Sequence, residues 1–160
     1  MYKKCNSVCD SCANYVREGD TVVSNATGRK FKIKRDTTCE SNNVIYVVFC
    51  KVCKFQGVGS TTKWKPRLRN YKSQIKKSVG ACRINRHFFG PCRGPIEEPS
   101  SSMYFMLVDC LNNVDGLSTE KIDELLLQRE KWWIGNLVTQ HRGLNGKHDW
   151  NRKERSEVEK

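Results

Sequence analysis

The chain has 160 residues, enough for one domain with a real hydrophobic core and a small satellite module. It carries 29 Lys and Arg against 17 Asp and Glu, a formal charge of +12, which points to a polyanionic partner, nucleic acid foremost. No apolar run approaches the roughly 20 residues of a membrane span, and the basic start has no apolar stretch behind it, so the nine cysteines read as metal ligands and reduced thiols rather than as a disulfide framework.

Residues 1–42 are polar and rich in turn formers. They hold Cys5, Cys9 and Cys12 in a close cluster, with Cys39 further on. Four thiolates suit a tetrahedral zinc site, and a leader this poor in apolar residues needs such a staple to hold a shape. Within it, Lys30 to Lys34 alternate basic and apolar residues, the pattern of a strand with one charged face.

Two short apolar runs follow, residues 44–49 and 55–58, close enough to form a β-hairpin. Their connection carries Cys50 and Cys53 in C-x-x-C spacing, which at a hairpin tip aims two thiolates at one metal. Tyr46 and Val48 share a strand face. A polar step then leads to a helical pattern over residues 65–77, with Leu68, Tyr71 and Ile75 as its apolar stripe and Pro66 in its first turn. Arg67 and Tyr71, four apart, share a face, and Lys72 and Lys76 extend a basic flank.

Residues 80–99 read as loop. They carry His87 and Cys92, whose H-x4-C spacing resembles the second half of a zinc finger. With Cys50 and Cys53 they make a three-cysteine, one-histidine set; Cys82 reads as buried. Residues 103–111 are an apolar run of strand length, the third strand of a central sheet, with Cys110 as a core thiol. Ser118 or Thr119 caps a long helix with acids in its first turns. Trp132, Trp133 and Ile134 read as packing that helix on the sheet, and on spacing alone Glu130 reads as a surface acid paired with a lysine. Gly143, Leu144 and Asn145 form a turn; His141 and His148 read as surface or DNA-facing. Residues 151–160 are a charged tail.

The ordered set of Val44-Ile45-Tyr46, Gly57-Val58-Gly59, Arg67 with Tyr71, Arg86-His87-Phe88, and Arg129-Glu130-Lys131-Trp132-Trp133-Ile134 before Gly143-Leu144-Asn145 resembles the GIY-YIG endonuclease domain. The cysteine pair between the first two motifs narrows this to a likeness with the endonuclease domain of Penelope-like retroelements, over residues 39–150.

That resemblance implies an α+β fold with a small three-stranded antiparallel sheet flanked by helices over residues 43–150. It implies nicking of double-stranded target DNA in the nucleus, beside a reverse transcriptase domain and element RNA. Tyr46, Arg67, Tyr71, Glu130 and Asn145 would be catalytic, Glu130 holding Mg²⁺ or Mn²⁺, while the zinc would be structural. Lys63, Lys65, Arg69, Lys72 and Lys76 would contact phosphates. The chain departs from the motif at Gly57, where the family places its second tyrosine, and Tyr71 would substitute in part. The alternatives are a zinc-stabilised nucleic-acid binder descended from such a nuclease, and a ribosomal or scaffold protein.

Overall fold

The structure is a computed structural model that describes residues 1–5, 9, 14–77, 83–90, 92, 101–140 and 142–145. The expectations for Cys12, Cys82, His141, His148 and the tail at 151–160 fall outside the described residues.

The architecture is α+β. The elements run β1 (Thr21–Val23), β2 (Lys30–Lys32), β3 (Asn42–Cys50), β4 (Gln56–Lys63), α1 (Trp64–Lys76), α2 (Arg83–Phe89), β5 (Met103–Cys110) and α3 (Thr119–Leu137). The central sheet is antiparallel with order β4-β3-β5, and β1 pairs with β2 in a separate ribbon.

β3 is the axis of the molecule. Its alternating side chains serve two cores, which is why seven consecutive residues are buried. Val44, Tyr46 and Val48 join Trp64, Leu68, Tyr71 and Ile75 of α1 on one face. Ile45, Val47 and Phe49 join Leu126, Trp133, Ile134 and Leu137 of α3 on the other. Each fully buried aliphatic side chain in such a layer is worth about 1.5–3 kcal/mol. The segment before β3 feeds the same cores: Tyr2, Tyr15 and Val16 pack on the α1 side, and Val22 and Ile33 on the α3 side.

Each edge of the sheet is met by another segment over part of its length, which shortens the open ladder that would template pairing with another chain. Val16 bridges to Phe105 along the free side of β5, and the Arg17 N–H donates to the Phe105 carbonyl at 2.9 Å. Along β4, the Leu144 N–H donates to the Gln56 carbonyl at 2.8 Å. Gly143 must be glycine for this approach, since a Cβ there would stand 2.5 Å from the Gln56 carbonyl oxygen.

Three elements differ from their expected form. β4 continues through the polar Ser60-Thr61-Thr62, because β3 offers partners as far back as Asn42 and threonine suits an edge strand. The stretch read as loop contains α2, too short to show a helical period, docked by buried Ile84 and Phe88. On α3, Trp133 and Ile134 pack inward as expected, but Trp132 is 52% exposed.

Candidate functional site

Two groups of side chains meet neighbouring residues of β4, Gly59 from the α1 face of the sheet and Ser60 from the α3 face. The first is built on β3 and α1. Tyr46 lies opposite Gly59 in the strand register, and its ring crosses directly over that glycine. A Cβ at Gly59 would fall 2.4 Å from the Tyr46 ring and hydroxyl, so only glycine leaves the phenol its place. The Tyr46 hydroxyl shares a hydrogen bond with the Tyr71 hydroxyl at 2.9 Å. Arg67, one helical turn before Tyr71, donates from Nε to the Tyr46 oxygen at 3.2 Å and from a terminal nitrogen to the Tyr71 oxygen at 3.4 Å. Its guanidinium also lies 4.7 Å from the centre of the Tyr71 ring.

The electrostatics of this group are lopsided. Arg67 is half-buried against two neutral phenols, and among the described residues no carboxylate pairs with it. Tyr46 has no exposed surface. Burial pushes its pKa above the usual phenol value; the Arg67 charge and the hydrogen bonds from Tyr71 and Arg67 pull the other way without prevailing, and the Glu130 charge adds a smaller upward push. The environment therefore keeps Tyr46 protonated at neutral pH and opposes a proton-accepting role for it in the free protein.

The second group reaches β4 from α3. Glu130 is only 6% exposed and accepts a 2.6 Å hydrogen bond from the Ser60 hydroxyl. It is not the surface acid that spacing alone suggests. The stretch Gly59-Ser60-Thr61-Thr62 is part of the resemblance, but a lone serine in a polar step carries no signal of a role of its own. The donor set is oxygen only, a carboxylate beside a hydroxyl, which suits a hard cation that keeps most of its water.

Asn145 works on the frame between them. Its Oδ1 accepts from the Val58 N–H at 2.8 Å and from the Thr139 hydroxyl at 2.6 Å, while its Nδ2 donates to the Val58 carbonyl at 2.9 Å. The amide thus stands in for a neighbouring strand, and it acts as a positioning residue for the edge that carries Gly59 and Ser60.

The expected phosphate-contacting residues divide. Lys65, Arg69, Lys72 and Lys76 recur at helical spacing and form one stripe along α1. The core-facing Leu68 and Ile75 lie between that stripe and Arg67, so the structure puts them on opposite flanks of the helix. Lys65 pairs with Glu40, and Lys72 lies over the Tyr15 ring at 4.7 Å. Lys63, Arg69 and Lys76 are exposed.

The metal sites assemble as the spacing suggested. The ligand atoms of Cys50, Cys53, His87 and Cys92 all lie within 4.8 Å of one another. Zinc bonds of about 2.1 Å to nitrogen and 2.3 Å to sulfur imply ligand separations of about 3.5–3.8 Å; Cys53 Sγ and His87 Nε2 are 3.4 Å apart. Lys54, at φ 68°, turns the chain back so that both cysteines face one point, and its N–H donates to the Cys50 carbonyl. Burial first, then the crowding of Cys50 and Cys53, pushes the Cys92 thiol up to about 12. Protonated thiols so placed gain little from one another, whereas a dication would bind all three as thiolates and offset most of their charge. Burial, with the Arg83 charge, lowers the His87 pKa, leaving the neutral imidazole a metal needs. Cys5, Cys9 and Cys39 form a second group, with sulfur separations of 3.4 and 3.9 Å. Either cluster could hold a zinc ion.

A scan against protein-family models finds no match to this chain, and searches of curated proteins and of solved structures find none either.

Proposed function

We propose that the chain is a metal-dependent DNA endonuclease of the GIY-YIG type. The observation that carries this is Arg67, a half-buried cation held by two phenol hydroxyls with no carboxylate beside it among the described residues. Such a site is short of one anion. A phosphate would exchange two neutral acceptors for charged ones, in the bidentate geometry a guanidinium matches best. The net charge of +12 supports a polyanionic substrate.

In this reading water adds to phosphorus and the P–O3′ bond breaks, leaving a 5′-phosphate and a 3′-hydroxyl. Arg67 binds the scissile phosphate and stabilises the charge that builds on its oxygens. As it turns toward the phosphate it uncovers the Tyr46 and Tyr71 hydroxyls, which orient the attacking water. Glu130 and Ser60 would hold a Mg²⁺ or Mn²⁺ ion, which supplies charge neutralisation for the leaving oxygen. The zinc sites are closed, all-Cys/His clusters and serve folding. The α1 stripe would meet phosphates remote from the scissile one, since it lies on the other flank of the helix.

The alternative, a zinc-stabilised nucleic-acid binder without cleavage activity, is favoured by the missing hydroxyl at Gly57 and the upward-shifted Tyr46 pKa. A plasmid-nicking assay with Mg²⁺ separates the two. Glu130→Gln keeps an acceptor for the Ser60 hydroxyl, so the protein should stay folded and bind DNA while nicking falls by at least about a hundredfold, the loss typical of one preorganised charge-stabilising group. Nicking by Glu130→Gln as fast as by wild type overturns the nuclease reading, and a folded, zinc-loaded wild type that binds but never nicks supports the alternative.

A further inference from the structure

A second surface, on the same face of the sheet as Ser60 but at its opposite edge, has the composition of a nucleic-acid site that the cleavage chemistry does not use. α3 crosses the sheet with Glu130 over β4 and Trp133 over β5, where Trp133 Nε1 donates to Asp109 at 3.3 Å. β3 lies between them, so the two surfaces are separated by two strand spacings, roughly 10 Å. Between β2 and α3 there opens a cleft of about 510 Å³, lined among the described residues by Phe31, Trp132 and Trp133, by five cations and by one carboxylate.

The carboxylate is already spent. Asp109 is buried and pairs with Arg35 at 3.6 Å and Arg129 at 3.5 Å, which fixes both guanidinium groups on the cleft wall. Lys30, Lys32 and Lys34 make no ion pair among the described residues. The aromatic component is equally specific. Trp132 stands edge-on to Phe31, with centroids 6.0 Å apart at 81°, and edge-on to Trp133 at 5.0 Å and 81°. Two rings therefore set the orientation of the indole while about half of its surface stays open. An aromatic ring held in place and left bare, ringed by uncommitted cations, is a stacking platform inside a phosphate-attracting rim.

We propose that this cleft binds a single-stranded polynucleotide, with a base stacked on Trp132 and the backbone tracked by Lys30, Lys32 and Lys34. A duplex keeps its bases stacked on one another and offers no free face to Trp132, so the site discriminates strandedness rather than sequence. Among the described residues the cleft presents cationic and aromatic side chains and no hydroxyl or amide side chain, so deoxyribose and ribose strands should bind alike.

The test measures binding and is independent of cleavage. Fluorescence anisotropy of the zinc-loaded full chain would be read with labelled oligo-dT, oligo-U and a duplex of equal length, without Mg²⁺ or Mn²⁺. Trp132→Ala should weaken oligo-dT and oligo-U binding roughly fivefold to a hundredfold, the range found when one stacking residue is removed. Trp132→Phe should restore most of it, and duplex binding should not change. Lys30→Ala with Lys34→Ala should lower the slope of log affinity against log salt by about 0.7 for each single-strand phosphate that is no longer neutralised. Unchanged oligo-dT binding by Trp132→Ala overturns the proposal. So does an equal weakening for single strand and duplex, which would make the cleft part of one undivided surface.

Discussion

Replacing Asn145 by alanine should destabilise the fold before it touches chemistry. The amide satisfies both backbone groups of Val58 and the Thr139 hydroxyl, all in a buried setting. An unsatisfied buried donor or acceptor costs about 1–3 kcal/mol. Removing the two backbone partners alone therefore predicts a loss of about 2–6 kcal/mol, a large share of the roughly 5–15 kcal/mol that holds an ordinary domain together. For a chain of this length each kcal/mol moves the melting temperature by about 2–4 °C, so the drop should fall between roughly 4 and 24 °C. Asn145→Asp makes the sharper comparison: it keeps the acceptor for the Val58 N–H but replaces the donor with a carboxylate oxygen that faces the Val58 carbonyl. It should be at least as unstable as the alanine variant. Thermal melts followed by circular dichroism, with urea unfolding as a second measure, check the magnitude. An Asn145→Ala protein that melts within about 2 °C of wild type yet has lost nicking would refute the reasoning, because the amide would then be acting on the substrate and not on β4.

Cys53→Ser should remove one thiolate from the four-ligand cluster, so metal analysis should find one zinc fewer per chain and the melting temperature should fall; wild-type metal content and melting would count against a structural zinc there. Tyr46 gives a pH signature. Its folded pKa lies above the unfolded value near 10, so its contribution to stability is complete below that value and is lost as pH rises through the folded pKa. Wild type should lose stability above pH 10 more steeply than Tyr46→Phe, measured as melting temperature against pH, and parallel curves would mean that Tyr46 is not held neutral by the fold.

The parts of this fold legible in the sequence are those in which local pattern and tertiary demand coincide. β3 reads as a strand because its continuous apolar run matches burial on both faces. α1 reads as a helix because Leu68, Tyr71 and Ile75 repeat at the period of its buried side. The four-ligand cluster reads because cysteine and histidine at those spacings have few other uses. What escaped depends on partners distant in sequence. Ser60 is significant only because α3 brings Glu130 over it, and Trp132 is a bare ring only because Phe31 and Trp133 fix it. The basic stripe of α1 lies on the flank away from Arg67, because residues near Arg67 in sequence need not share its face: two residues along a helix is more than half a turn.

Gly57 is the departure from the motif with the most to say about mechanism. It sits on β4 where an added Cβ would meet Leu144 at 3.0 Å, Val48 at 3.1 Å and Ile84 at 3.2 Å. All three are apolar and buried, so the pocket cannot accept a phenol without displacing α2 or the Gly143–Asn145 turn. The second hydroxyl beside Tyr46 comes from Tyr71 on α1, at 2.9 Å. Moving that hydroxyl from strand to helix has a physical consequence. A phenol on β4 would be fixed by the sheet, independently of the arginine. Tyr71 sits one turn from Arg67 on the same helix, hydrogen bonded to it and stacked under its guanidinium. In the nuclease reading, the group that grips the phosphate and the group that orients the water are then anchored on one helix, positioned by the packing of Leu68 and Ile75 against β3. A small tilt of α1 shifts both together and leaves Tyr46 behind, so the packing of that helix sets the alignment of phosphate with water.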